Sequence, residues 1–183
     1  MKAFLDFEAS SLSAHSYPIE VAWVFQDGRS ETHLIAPAPA WTDWDDAAEA
    51  IHGISQATLK ATGAPHEVVA NRMVEVLSDH DLFASAPSWD GKWLSALLRA
   101  AGLPRHTLRL RDTDVALRET ALEILRPVLP EARLQIEVHN IVAHAGAAKI
   151  SRPAHRALAD AQGEYETWLC ARQAARAFLL EGD

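Results

Sequence analysis

The chain has little that would tie it to an oxidising compartment, a membrane or a broad basic surface. It carries one cysteine, Cys170, in 183 residues. That excludes an intrachain disulfide and fits a reducing compartment, with the cytoplasm as the default expectation. No apolar run approaches the roughly 18–20 residues that span a bilayer, so no membrane partner is expected. The opening MKAFLDFEAS has no long apolar core and meets acids at once, which argues against a signal peptide. Positive charge is also short: 17 Lys and Arg face 25 Asp and Glu, a net charge of −8. That balance speaks against attachment to nucleic acid through a broad basic face. It leaves room for a site that grips a few phosphates through metal ions and a local cluster of cations. There is no internal repeat, low-complexity tract or convincing linker. What is present, 49% hydrophobic residues over this length, suits a single domain spanning residues 1–183 with a sizeable core.

The N-terminal third reads as strands at 3–8, 18–26 (PIEVAWVFQ) and 30–36 (SETHLIA), with Asp27-Gly28 turning the second into the third. Pro37 and Pro39 end this meander, and a loop with Trp41, Trp44 and three aspartates follows. Helical periodicity covers about 45–51, 55–62 and 66–77. A short strand, DLFAS at 81–85, precedes a helix from Ser88 to about Ala101, stopped by Gly102 and Pro104. LRLRD at 108–112 offers a last strand, helices follow near 113–126 and 131–145, and the segment 154–180 closes the chain with apolar residues at helical spacing. Hairpin-linked strands, then strands alternating with helices, predict one α/β domain with a central mixed sheet flanked by helices.

One feature of this plan is chemically awkward. In the first strand, KAFLDFEAS, Asp6 and Glu8 stand among Phe4, Leu5 and Phe7. Residues i and i+2 of a strand share a face, so the two carboxylates sit side by side at a repeat of roughly 6–7 Å. Burial would sharpen their repulsion. An edge strand with both acids in water would remove the difficulty. A divalent cation between them would remove it too.

Further ligands would have to come from elsewhere. Asp90, in FASAPSWDGKWLSALL, follows a short buried-looking strand and falls in the first turn of a helix, with Ser88 in place to cap it. An acid there also suits the helix dipole. In HRALADA, Ala157, Leu158 and Ala161 would anchor a helical turn and leave His155 and Asp160 pointing elsewhere. Five residues of helix rotate by about 140°, so these two converge only if His155 lies at or before the helix start. Pro153 favours such a start. Taken singly, a solvated histidine and surface acids explain the same residues.

The order Asp6-x-Glu8, Asp90, His155-x-x-x-x-Asp160 resembles the DEDD superfamily of 3′→5′ exonucleases in its DEDDh branch, to which proofreading exonuclease subunits, ribonuclease T and oligoribonuclease belong. FLDFEAS looks like the first motif, PIEVAWV like the strand after it, and IHGIS (51–55) like a segment after the third strand. RDTDVALRE resembles the Asp-Thr strand end before a helix, and HRALADA is close to the third motif. The second motif departs: the family usually carries an Asn, often His-Asn, where this chain reads Ser85-Ala86-Pro87-Ser88-Trp89-Asp90. That substitution bears on substrate positioning and rate more than on metal binding.

The resemblance implies an RNase H-like fold and hydrolysis of phosphodiester bonds at the 3′ ends of single-stranded DNA or RNA, with release of nucleoside 5′-monophosphates. It implies two divalent ions, Mg²⁺ or Mn²⁺, which oxygen ligands favour over zinc. Asp6 would bridge both, Glu8 and Asp160 would complete one site, and Asp90 would serve the other. His155 would act as general base, imidazole being suited to proton transfer near neutrality. His52, Trp89 and Arg156 are the candidate substrate contacts. Lys149, Arg152 and Lys92 are further cations near the motifs, as readily explained by solvation. Trp41 and Trp44 could stack bases or pack beneath their loop. The rival expectation is a nucleic-acid-binding module on the same fold, its catalysis weakened by the altered second motif. An unrelated α/β protein with coincidental acids is a third. The resemblance admits a homodimer, for which no interface is legible.

Overall fold

The computed structural model describes residues 1–147 and 154–180. Its sheet is built on β1 (Lys2–Ala9), which pairs antiparallel with β2 (Pro18–Phe25). The meander continues into β3 (Ser30–Ala36), antiparallel to β2. Two short helices follow, α1 (Asp46–His52) and α2 (Gln56–Thr62), the second capped by the Ser55 hydroxyl, which accepts from the Thr58 N–H at 3.1 Å. Then come β4 (Ala64–Pro65), α3 (His66–Leu77), β5 (Asp81–Ala84), α4 (Pro87–Ala100), β6 (Leu110–Asp112), α5 (Thr113–Leu125), α6 (Glu131–Ala147) and α7 (Ala157–Leu180). The strand order is β4-β3-β2-β1-β5-β6, with β5 parallel to β1 and β6 parallel to β5. This is the mixed sheet flanked by helices, with its three-stranded N-terminal meander, that the periodicity predicts.

β1 is therefore central, not an edge. Its odd face, Ala3, Leu5, Phe7 and Ala9, packs with Val21 and Trp23 of β2 against Val69 and Met73 of α3 and Leu94 and Leu97 of α4. Its even face begins with Phe4, which meets Trp168 (centroids 5.6 Å apart) and Tyr165 (6.2 Å) of α7. Burying a side chain of this size is worth roughly 1.5–3 kcal/mol. Ala22 and Val24, on β2, pack against Ala157 and Ala161 at the start of the same helix. So α7 lies along β1 and β2, and its first turns come down where β1 presents Asp6 and Glu8. A register shift at Glu8/Ala9 marks that end of the strand, a common device beside active sites.

Some local expectations are corrected. Ser88 does not cap α4: Pro87 opens the helix, its preset φ suited to that position, and Ala86 stands at the N-cap without a side-chain bond. β5 ends at Ala84 and β6 begins only at Leu110. β4 was not anticipated. It pairs with β3 directly after Gly63, where a Cβ would lie 2.5 Å from the Leu59 carbonyl oxygen and 2.6 Å from the Ala36 nitrogen. Only glycine permits that approach. The tryptophan loop is packed rather than displayed. Trp41 stacks on Tyr17 at 5.1 Å, and Trp44 donates its indole N–H to Glu49 at 2.9 Å. No helix among the described residues is long and apolar enough to cross a membrane.

Candidate active site

Three elements bring acids together. The strand period of β1 places Asp6 and Glu8 on the face that α7 covers, and the first turn of α7 supplies Asp160. Each of the three offers a carboxylate oxygen, and these oxygens all lie within 4.8 Å of one another. From the other side of β1 comes Asp90, in the first turn of α4, only 2% exposed. Its Oδ2 is buried with no hydrogen-bond partner among the described residues. An orphaned carboxylate oxygen beside other acids is costly unless something cationic or a proton meets it.

The electrostatics carry the same message. Burial, then repulsion from Asp90, Glu8, Asp160 and Glu164, pushes the Asp6 carboxyl up to about 9. Burial followed by Asp160 and Glu20 raises Glu8 to about 8, with Arg156 pulling the other way. Asp90 is raised to about 7, chiefly by burial, against backbone hydrogen bonds that lower it. Protons or divalent cations can relieve such a cluster. Oxygen-only donors fit Mg²⁺ or Mn²⁺. Asp6, Glu8, Asp160 and Asp90 are the residues that would hold them.

His155 stands outside the acid cluster and just before α7, the condition for its convergence with Asp160. It is exposed, and its backbone is left-handed, with φ 52°. Asp160 steadies the same bend by accepting the Ala154 N–H at 2.8 Å. A cleft of about 250 Å³ opens beside Glu8 and is lined by Phe7, Leu12, Ile51, His52 and His155 among others. His52 is buried there. Its Nδ1 accepts the Ile54 N–H at 3.0 Å, its Nε2 finds no partner among the described residues, and burial holds its pKa below the ordinary value.

The remaining predicted contacts are placed less simply. Trp89 is partly exposed against Trp93, with the Lys92 ammonium 5.0 Å from its ring centroid. Lys92 also donates to the Ser16 hydroxyl at 2.9 Å, tying α4 to the loop after β1. Arg156 makes a two-pronged pair with Glu20, at 3.1 Å through Nε and 2.7 Å through Nη2. Lys149, Arg152 and Pro153 lie outside the described residues.

Sequence reasoning missed three acids. Glu164 sits one turn beyond Asp160 on the buried stripe of α7 and adds to the repulsion on Asp6 and Asp90. Its signal was a carboxylate at the spacing of Ala157, Ala161 and Trp168. Glu20 is buried in a strand whose eight residues are all buried, and a lone acid in PIEVAWVF is the same anomaly that exposed Asp6 and Glu8. Asp43 gave no signal: it accepts from the hydroxyls of Ser10 and Ser13, at 3.2 and 2.9 Å, and of Ser11, so it organises the loop after β1.

A mixed sheet in this strand order, with acids from β1, α4 and α7 at its centre, defines an RNase H-like fold. No protein-family model matches the sequence, and no curated protein does. Among solved structures the chain is similar to exonuclease I. The zinc-bound form of the Escherichia coli exonuclease I–single-stranded DNA complex superposes with a TM-score of 0.62 at 19% identity, covering 98% of this chain and 42% of that one. The E. coli enzyme in complex with a dA16 oligonucleotide gives 0.64 at 18% identity, with the same coverage. A moderately thermophilic exonuclease I from Methylocaldum szegediense gives 0.66 at 17%, again covering 98% and 42%. The chain thus spans about two fifths of the length of the structures it matches.

Proposed function

We propose that this chain is a metal-dependent 3′→5′ exonuclease of the DEDD superfamily, in its DEDDh branch, acting on single-stranded nucleic acid and releasing nucleoside 5′-monophosphates. One observation carries the reading: Asp6, Glu8 and Asp160 converge beside the orphaned Asp90 oxygen, and His155 stands at the rim on the cleft that Glu8 lines. The likeness to exonuclease I complexes with single-stranded DNA supports DNA as the first substrate to test.

In this reading Asp6, Glu8, Asp90 and Asp160 would hold two Mg²⁺ or Mn²⁺ ions, which would supply positive charge for the attacking and leaving oxygens of the phosphodiester. His155 takes the proton of the attacking water, and its exposure lets it pass that proton to solvent. The apolar side of the cleft, with Leu12 and Ile51 exposed, holds the terminal nucleoside and keeps water off the leaving group's face. His52 lines the same cleft, and its Nε2, buried and without a partner among the described residues, would donate to the substrate only after the ring turns toward the opening. Trp89 gives a flat surface for an upstream base, with Lys92 beside it for a phosphate.

The test is degradation of 5′-labelled single-stranded DNA and RNA in parallel, with Mg²⁺, Mn²⁺ or EDTA, beside Asp6→Asn. A metal-dependent ladder shortening from the 3′ end and lost in the variant supports the exonuclease and selects its substrate. One observation favours a second reading: the stretch Ser85-Ala86-Pro87-Ser88-Trp89-Asp90, which resembles the family's second motif, lacks its amide, and Ala86 caps α4 without a side-chain bond. Binding of single strands without cleavage of either would establish the binding module instead.

A further inference from the structure

Glu20 is the acid that the catalytic scheme leaves unused. It is 3% exposed on the central strand β2, and its Cα partner across the ladder is Glu8. A carboxylate so placed must be fully hydrogen-bonded or protonated. Its partners come from two consecutive residues. Oε1 accepts from Arg156 Nη2 at 2.7 Å, while Oε2 accepts from Arg156 Nε at 3.1 Å and from the Ala157 N–H at 2.9 Å. Directly before them stands His155, the one non-glycine residue with positive φ among the described residues. An L side chain adopts that conformation at a cost, and keeps it only where the surroundings over-determine the backbone. On the preceding side the backbone is held as well, since the Ala154 N–H is taken by Asp160. The histidine is thus bracketed by two carboxylates, one from the acid cluster and one from the strand beneath.

We propose that Glu20 is a positioning residue for His155: by clamping the Arg156 guanidinium and the Ala157 N–H, it holds the histidine in its left-handed conformation at the mouth of the cleft beside Glu8. Its catalytic consequence rests on the exonuclease reading, whereas the clamp itself does not. A charged pair is well suited to the task, because the Arg–carboxylate fork fixes orientation as well as distance. It also gives the buried acid opposite Glu8 a countercharge, Arg156, which lowers the Glu8 pKa while Glu20 raises it.

Glu20→Gln keeps the size of the side chain but turns one acceptor into a donor, so at least one of the three bonds is lost. Two readouts decide the matter. The first is independent of activity: the His155 ¹³Cα and ¹³Cβ chemical shifts should move away from left-handed values in Glu20→Gln. Arg156→Ala, which keeps only the Ala157 bond, should move them in the same direction. Unchanged shifts in both variants overturn the clamp. The second is kinetic: kcat should fall about tenfold or more, as misplacement of a catalytic group does, with KM changed less than about twofold. The double variant Glu20→Gln/His155→Ala should be no slower than His155→Ala alone, because the two act as one unit. Losses that multiply overturn the positioning role. A wild-type chain that cleaves no nucleic acid refutes the exonuclease reading, and the His155 shifts still decide the clamp.

Discussion

Removing a carboxylate from the site should make the metal-free protein more stable, and Asp6→Asn is the sharpest case. The Asp6 carboxyl is raised from 3.8 to about 9 by burial and by its acidic neighbours. Below pH about 4 both folded and unfolded chains carry the proton, and the group costs nothing. As pH rises the unfolded chain releases its proton while the folded chain retains it, so stability falls continuously through the window up to about 9. At about pH 7.5 the gap approaches four units, each worth about 1.4 kcal/mol, a ceiling of about 5 kcal/mol. Glu8 and Asp90 share the same repulsions, and counting half leaves about 2–3 kcal/mol for this residue. For a chain of this size each kcal/mol moves Tm by about 2–4 °C, so the variant should melt roughly 5–10 °C higher in EDTA. The difference should shrink toward pH 5 and widen toward pH 9. Metal acts in the opposite sense: an ion at about 100 times its Kd adds about 2.7 kcal/mol to a protein that binds it only when folded. Wild type should therefore gain more from Mg²⁺ or Mn²⁺ than Asp6→Asn does. Thermal melts at about pH 5, 7 and 9, each in EDTA, Mg²⁺ and Mn²⁺, measure all of this. A variant less stable than wild type in EDTA at the alkaline end, or equal metal increments for both proteins, would refute the reasoning.

Three other expectations follow from the same geometry. Glu164→Gln removes a charge that raises both Asp6 and Asp90, so the Mn²⁺-induced rise in Tm should set in at lower pH than in wild type; an unshifted onset would place that charge outside the site. His155→Ala should lower kcat by about 10²–10⁴ while leaving the metal-induced rise in Tm intact, since the histidine lies outside the carboxylate cluster; full activity in the variant would remove it as the base. Gly63→Ala should cost about 2 kcal/mol or more in a denaturant titration despite an ordinary backbone conformation, because the added methyl meets backbone of both α2 and β3. Wild-type stability there would mean that the β3–β4 junction yields.

The parts of this molecule that were legible in its sequence are those set by local period and local punctuation. Asp6 and Glu8 share a face because strands alternate, and α3 runs from His66 to Leu77 as helical periodicity predicts. The spacing of His155 and Asp160 calls for the histidine before the helix and the aspartate inside it, and that is where each stands, with Asp160 accepting the Ala154 N–H beside the histidine. What stayed hidden is what non-local pairing decides. Nothing near Lys2–Ala9 says whether its neighbours are water or two further strands, so an exposed edge remained open for a strand that is central. The apolar stripe of α7 was visible, but apolar periodicity alone does not place Glu164 on it, since helices show acids on their outer faces far more often. The cap of α4 was misplaced because a proline can start a helix without help from a hydroxyl. Asp43 illustrates the hardest case: three serine hydroxyls more than 29 residues away in sequence make its role, and no spacing rule connects them.

The even face of β1 is apolar at Phe4 and acidic at Asp6 and Glu8, and a single helix covers both parts, with Trp168 over the first and Asp160 over the second. That division sets two opposing contributions against each other in the docking of α7. The helix must return across nearly the whole length of the chain to reach β1, a contact of high sequence separation and hence a slow one to form. Its aromatic half is drawn in by burial, yet its acidic half arrives at carboxylates that repel it. A proton or a divalent ion offsets that repulsion, so without metal α7 should be held less firmly over β1 as pH rises. Completing the core and completing the acid cluster would be one event.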